Sequence, residues 1–341
     1  MTGILTGRSL AQRLAAPEEL PLPSRHLGLT WSQLDSADLP ELRQMLDESI
    51  DPEIFDETRL VMTLTWWLDD ITKHSHVDAI IGRDFAGVVQ AVGLVSVHPH
   101  PLTEAQADVF GAIRPQWRGR GIGRALLEWQ DGRARQMMLQ AGHDLPASIR
   151  SRVSLANMER RRLLAAGGFS PQSRWTYMVL PLSSSHCRQS AQARQRLQER
   201  GLHIVTFDEV HRTEVLRLHN RVSMVMDRRQ PLSEKDWCER ISAMDHDLSL
   251  LLIDDSQLVG YSLCSRESDG ELRVGFYGID RGYRHQGNGT DLILALIEPA
   301  IDAGLMQINV PVVSETTPST QFLTTYGFIE GSSQILYSID I

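Results

Sequence analysis

The sequence predicts an α/β protein built as two tandem domains of one plan. Three observations carry this. The chain has 341 residues, more than one hydrophobic core usually organises. Segments of strand-like alternation and helix-like 3.6-residue periodicity follow one another along it. Their order then repeats after about half the length, a period that fits duplication rather than a solenoid of short units.

In the first half "HLGLTW" reads as a strand and "SADLPELRQMLDESI" as a helix with polar N-cap options, followed by a second helix at 57–69. "DAIIGRD" and "GVVQAVGLVSVHP" form a hairpin around a polar turn, and "QADVFGAI" is a further strand. A Gly-rich turn and helix come next, then the strand "SIRSRVSL", a helix over 157–167, and the closing strand "RWTYMVLPL". The second half runs through "LHIVTF", a helix around 210–226, "LSLLLIDD", "QLVGYSLCSR" and "ELRVGFYGI". It ends with a Gly-rich turn, a helix from about 290, "MQINVPVV", a short helix and "QILYSIDI". The boundaries expected are a loose lead-in over 1–25, a first domain over 26–182, a small-residue linker over 183–201 that turns helical towards its end, and a second domain over 202–341.

With 42% hydrophobic and 23% charged residues, the chain has enough apolar surface to fold as a globule. A net charge of -9 argues against a non-specific nucleic-acid binder, which needs a basic face. Cys187, Cys238 and Cys264 are odd in number and lack CxxC spacing, so no disulfide framework is encoded and a reducing compartment fits. The N-terminal stretch lacks the apolar core of a signal peptide, and the apolar run at 88–97 is shorter than the roughly 18 residues of a membrane span. A cytoplasmic location without membrane or nucleic-acid partners is expected; oligomeric state is left open. The pairs His98, His100 and His74, His76 have no carboxylate or cysteine completing a metal set, so no metal is expected.

The chemistry concentrates in "RPQWRGRGIGRALLEWQ" (114–130) and its counterpart "GYRHQGNGTDLILALIEPA" in the second half. Both carry Arg-x-x-Gly-x-Gly: Arg118, Gly121 and Gly123, then Arg284, Gly287 and Gly289. A Walker loop would need Lys and Ser or Thr where Arg124-Ala125 and Thr290-Asp291 stand, and a dinucleotide fingerprint would need a third glycine where Arg124 and Leu292 stand. A pyrophosphate turn at a helix N-terminus remains: glycines let the backbone approach an anion, amides point inwards and the helix dipole adds positive charge. Arg118, Arg120 and Arg124 add charge in the first copy, and Ile122, Ala125, Leu126 and Trp129 give the following helix a face to dock on a sheet. Pro299 bends or ends the second helix.

The paired turns, each followed by a strand, a short helix and Gly-Phe ("LLAAGGF" ending at Phe169, "FLTTYGF" ending at Phe328), resemble the GNAT acetyltransferase superfamily over nearly the whole chain. The resemblance implies a mixed sheet in each domain, splayed where acetyl-coenzyme A enters, and acyl transfer to an amine. It implies contacts to the coenzyme from Arg118, Gly119, Arg120, Gly121, Ile122, Gly123 and Arg124, and from Arg284, His285, Gln286, Gly287, Asn288, Gly289 and Thr290. It places the amide that polarises the thioester near Ile113 and Ile279, and a pantetheine contact at Asn157, which an N-cap role explains equally well; Thr316 stands there in the second copy.

Many members carry a tyrosine acid four residues before the Gly of Gly-Phe, where this chain has Leu164 and Leu323. Other candidates for proton transfer are Tyr277, Tyr326, Asp108 and Glu271; strand-end carboxylates and a packed aromatic explain them as well. Trp66 and Trp67 could line an acceptor pocket or pack in a core. The expected function is transfer of an acetyl group from acetyl-coenzyme A to the primary amine of a small molecule, with the mycothiol synthases as a more specific subfamily. A protein or peptide amine is the second acceptor class, and the alternatives are a non-catalytic acyl-coenzyme A sensor or an enzyme with one working lobe.

Overall fold

In a computed structural model the described residues are 8–49, 76–98, 101, 103–226, 231–267, 270–313 and 317–341. The expected helix at 57–69, His74, His100, Trp66, Trp67 and Thr316 lie outside them. In chain order the elements are α1 (Leu10–Leu14), β1 (Thr30–Gln33), α2 (Leu39–Ser49), β2 (Val77–Arg83), β3 (Val89–Val97), β4 (Ala105–Ile113), α3 (Ile122–Ala141), β5 (Ala147–Ser154), α4 (Met158–Ala166) and β6 (Ser170–Pro181). There follow α5 (Cys187–Glu199), β7 (Leu202–Thr206), α6 (Arg212–Met226), α7 (Glu234–Ile241), β8 (Asp245–Asp254), β9 (Gln257–Arg266) and β10 (Glu271–Ile279). The last are α8 (Asn288–Leu294), α9 (Ile297–Asp302), β11 (Gln307–Val313), α10 (Thr317–Thr325) and β12 (Ile329–Asp340).

Two compact units result, Met1–Arg174 with Ser332–Ile341, and Trp175–Gly331. They differ from the sequence boundaries first in that the closing strands change places. β12 pairs antiparallel with β5 in the first unit, Gln334 opposite Ser154 through Asp340 opposite Ser148, and buries Ile335 and Tyr337 in that core. Residues Trp175–Pro181 of β6 pair antiparallel with β11 in the second unit, where Met178 and Leu180 are fully buried. Both strands carry a short apolar run, Tyr177 to Leu180 in β6 and Ile335 to Tyr337 in β12, so either fits a buried strand and sequence order alone does not assign them.

The lead-in and linker are also packed. Ser9 caps α1, whose Leu14 is fully buried, and Arg13 pairs with Asp144 at 2.8 Å. Within 183–201, α5 inserts Ala193 and Leu197 into the core of the second unit. "HLGLTW" is a strand only from Thr30, since Arg25–Leu27 make a 3-10 turn.

The first unit's sheet runs β1-β2-β3-β4-β5-β12. On one face lies α3, where Ile122, Leu126 and Trp129 of the expected face are buried, Ala125 is only half-buried, and Leu127 is buried beside them. On the other face α2 sets Leu42, Met45 and Leu46 against β2 and β3. Arg83 clamps α2 through Glu41 (2.6 Å) and Asp38 (2.7 Å), and Glu41 also accepts the Val89 amide at 2.8 Å. Although desolvation pushes the other way, the Val89 amide and Arg83 hold Glu41 below the usual carboxylate range.

The second unit's sheet runs β6-β11-β10-β9-β8-β7. Its counterpart of the 20-residue α3 is the seven-residue α8, which stops before α9. Pro299 has no N–H to give the Ala295 carbonyl, and Arg194 donates to that carbonyl instead at 2.8 Å. In the first turn of α8, Asp291 is buried and accepts from Arg196 Nε (3.0 Å) and Arg200 (2.9 Å). Asp291 beside it raises the pKa of the Arg196 guanidinium further.

Two outcomes follow from this packing. Ile335→Ala should cost about 2–4 kcal/mol and speed amide exchange along β4 and β5, leaving β10 and β11 unchanged; acceleration in the second unit instead would contradict the strand assignment. Asp291→Asn leaves two guanidiniums without their carboxylate and should cost about 2–4 kcal/mol in denaturant unfolding, more than Arg196→Ala does.

Candidate acyl-coenzyme A site

The site of the first unit begins where two strands part. β4 and β5 run parallel and paired only from Ala105 opposite Ala147 to Asp108 opposite Arg150. Beyond this fork each keeps one neighbour, β3 for β4 and β12 for β5. The Arg114 amide donates to the Gln90 carbonyl at 2.9 Å, which fixes the phase of the β3–β4 ladder. Ala112, Phe110 and Asp108 then turn their backbone groups to β3, and Val109, Gly111 and Ile113 turn theirs to the opened edge. Side chains take over two of these carbonyls: Ser151 Oγ donates to Val109 O (3.0 Å) and Arg118 Nε to Ile113 O (3.1 Å).

Along this edge lies a cavity of about 470 Å³, within the range of ligand pockets. Of the residues singled out from sequence, it brings together Ile113, Arg118, Gly119, Gly121, Gly123, Arg124 and Asn157. Gly119 (φ +75°) and Gly121 (φ +85°) hold the turn in left-handed conformations, and Gly121 is the N-cap of α3. Gly123 is needed for close packing, because a Cβ there would sit 3.1 Å from Leu163 Cδ2.

The motif arginine has a role the sequence reading did not give it. Arg118 ties the turn to β4 through Ile113 O and to the end of α2 through Ser49 O at 3.0 Å. Arg284 makes the same bond to Ile279 O at 2.9 Å in the second unit. Arg120 lies over the Trp117 ring at 4.5 Å and donates to Gln116 O, Ile122 is buried in the core, and Arg124 is exposed beside the cavity. Asn157 is the N-cap of α4, accepting from the Arg160 amide at 3.0 Å, and lines the cavity as well. Leu164, at the expected acid's place, is 2% exposed and lines it too.

Asp108 stands at the fork, on the sheet face shared with Phe110 and Ala112, and does not line the cavity. Residues the sequence reading missed are Gln130, Ser151, Gly111 and Glu159, all cavity-lining. Gly93 and Gly111, opposite one another on β3 and β4, were the available signal, since paired strand glycines mark a close approach.

In the second unit β10 and β11 pair only from Glu271 opposite Gln307 to Arg273 opposite Asn309, and a bulge at Gly275 follows. The Asp280 amide donates to Val259 O (2.8 Å), so Tyr277 and Ile279 direct their backbone groups away from β9. The turn repeats the left-handed positions at His285 (φ +62°) and Gly287 (φ +81°). Its polar side chains bind their own backbone: Gln286 to Gly282 O (3.2 Å) and Asn288 to Tyr283 O (2.9 Å). Arg200 donates to Asn288 Oδ1 at 2.8 Å and reaches 3.7 Å from where a Cβ on Gly287 would lie. Gly289 packs on Ile279, and Thr290 is half-buried.

Tyr277 is 36% exposed, whereas Glu271 is fully buried and bonded to Gln307 at 3.0 Å. Eight residues of strand, about 26 Å, separate Glu271 from Ile279, so the fold does not bring them together. Leu323 is buried in the core, with Tyr326 packed against that core. Among the described residues no cluster of three or more His, Cys, Asp or Glu could hold a metal, and no helix is long and apolar enough to cross a membrane.

The model of the acetyltransferase (GNAT) family matches residues 212–328, within the second unit. The mycothiol acetyltransferase of Thermobifida fusca is 26% identical over 288 residues, covering 77% of this chain and 81% of that one. Among solved structures, a GCN5-related N-acetyltransferase from Sphaerobacter thermophilus superposes with a TM-score of 0.69 at 17% identity, over 94% of this chain and 97% of its own. A tandem GNAT protein from the clavulanic acid biosynthesis pathway gives 0.60 at 15% identity, over 92% and 98%. These likenesses show a fold shared with GNAT proteins across both units, and residues 212–328 match the acetyltransferase (GNAT) family.

Proposed function

We propose that the protein transfers an acetyl group from acetyl-coenzyme A, held in the first unit, to the primary amine of a small molecule. The observation that carries this is the cavity joining the glycine turn to the opened edge of β4. The residues present fit the coenzyme. A diphosphate needs amide donors and positive charge; the turn from Gly119 to Arg124 opens a 20-residue helix with no acidic residue in its first turn, and Arg124 adds a cation. The amides of a pantetheine arm need partners along a free strand edge, which Gly111 and Ile113 supply. The second unit's turn fits less well, because Asp291 sits in the first turn of its short helix and Arg200 stands over Gly287.

The arm between diphosphate and sulfur has about thirteen bonds, as many as about four residues of extended chain. Of the edge-facing amides within this reach of the turn, Gly111 is the next inward from Ile113, which supports it as the donor to the thioester oxygen, with Ile113 holding the arm. Acetyl-coenzyme A supplies the activated acyl group. The chain's part is to fix it along β4, to place the Gly111 N–H where negative charge develops as the amine attacks, and to accept the amine's proton. Among the described residues Glu159 is the carboxylate that lines the cavity, and it is the candidate for that proton, directly or through water. With Leu164 in place of an acid, the leaving thiolate takes its proton from water, which its ordinary pKa of about 8.5 permits.

The mycothiol acetyltransferase relative supports a small-molecule acceptor over a protein amine. The missing acid supports the second reading, a sensor that binds acyl-coenzyme A without turnover.

Calorimetric titration with acetyl-coenzyme A should give one site per chain, abolished by Gly121→Glu and retained in Gly287→Glu. The reverse pattern would move the site to the second unit, and no binding would sink the proposal. Thiol release with small amines but not with peptides is the expected second result; no release with either supports the sensor.

A further inference from the structure

The inner end of the first unit's cavity has a hydrogen-bonding character that the turn and the strand edge do not require. Gln130 of α3 is 3% exposed, and its Nε2 donates to Leu94 O at 3.0 Å and to Phe110 O. With the amide nitrogen committed to the two strands, Oε1 is the end left for the cavity that Gln130 lines, and it is not among the sealed polar atoms. Ser151, 2% exposed, spends its one proton on Val109 O at 3.0 Å and keeps lone pairs. Gly93 leaves room for Leu126 beside it, since a Cβ there would lie 2.8 Å from Leu126 Cδ2, and the Gln130 amide lies at contact distance, 3.8–3.9 Å, from where a Cβ on Gly111 would stand.

This end therefore presents two acceptors whose own donors are already used, amid the apolar walls of Leu126, Leu127 and Leu164. A carbonyl oxygen in such surroundings gains from a ligand donor and is left without a partner by a methyl group. A carboxylate brings only further lone pairs. Resting on the reading of this cavity as an acyl-coenzyme A site, we propose that Gln130 and Ser151 make it selective for short acyl groups bearing a hydroxyl. Glycolyl is favoured over propionyl, which has a methyl group in the hydroxyl's place, and over malonyl, with acetyl as the smallest group accepted.

The test is calorimetric binding of coenzyme A and its acetyl, glycolyl, propionyl and malonyl thioesters to the full chain, which needs no knowledge of the acceptor. Glycolyl-coenzyme A should bind about five-fold or more tightly than the propionyl thioester, the worth of about one hydrogen bond. That ratio should fall to about one in Gln130→Met and partway in Ser151→Ala, the milder change should Gln130→Met fail to fold. A wild-type ratio of one or below, or a ratio unchanged by Ser151→Ala and Gln130→Met, overturns the selection while leaving the coenzyme site standing. Absence of binding by coenzyme A and all four thioesters overturns the site itself, and the selection with it.

Discussion

Everything in the first unit turns on the parting of β4 and β5 after Asp108 and Arg150. A backbone edge opened inside a fold leaves N–H and C=O groups that must find partners. Here side chains satisfy two carbonyls, through Ser151 and Arg118, and the amides of Gly111 and Ile113 are left facing the opening. The surrounding elements keep the fork apart. β12 holds β5 along its other edge, α3 supports both strands from one face, and the Arg83 cluster holds α2 on the other.

The two units show how one architecture can be kept while its chemistry drifts. Both arginines of the repeated motif are bonded to the last carbonyl of the preceding strand, so the residue is needed for the turn's shape whatever binds there. What differs is the charge around the helix N-terminus. The first unit has Arg124 and no acid in the first helical turn; the second has a buried Asp291 already neutralised by Arg196 and Arg200. A helix end that satisfies its positive potential internally has less to offer a diphosphate.

Much of this was legible in the sequence, because it depends on local pattern. Strand alternation, the period of α3 and the paired glycine turns point to the fold class, and five of the seven turn residues of the first unit, all but Arg120 and Ile122, line one cavity. What was hidden depends on distant partners. The exchange of β6 and β12 is invisible because both strands carry a similar short apolar run. Glu271 resembled an acid at a strand end, yet it pairs with Gln307 at the closed end of its sheet. Gln130 was not singled out, since nothing local reveals that its amide reaches the carbonyls of Leu94 and Phe110. Arg118 read as a phosphate ligand because charge is visible in a sequence and the carbonyl it binds is not.

The most direct test of the account is amide hydrogen exchange on the intact chain with and without saturating acetyl-coenzyme A. Slower exchange at Gly111, Ile113 and 119–124, with 275–290 unchanged, is the result expected if the forked edge and turn of the first unit hold the coenzyme. Protection confined to 275–290, or none in either unit, would contradict it.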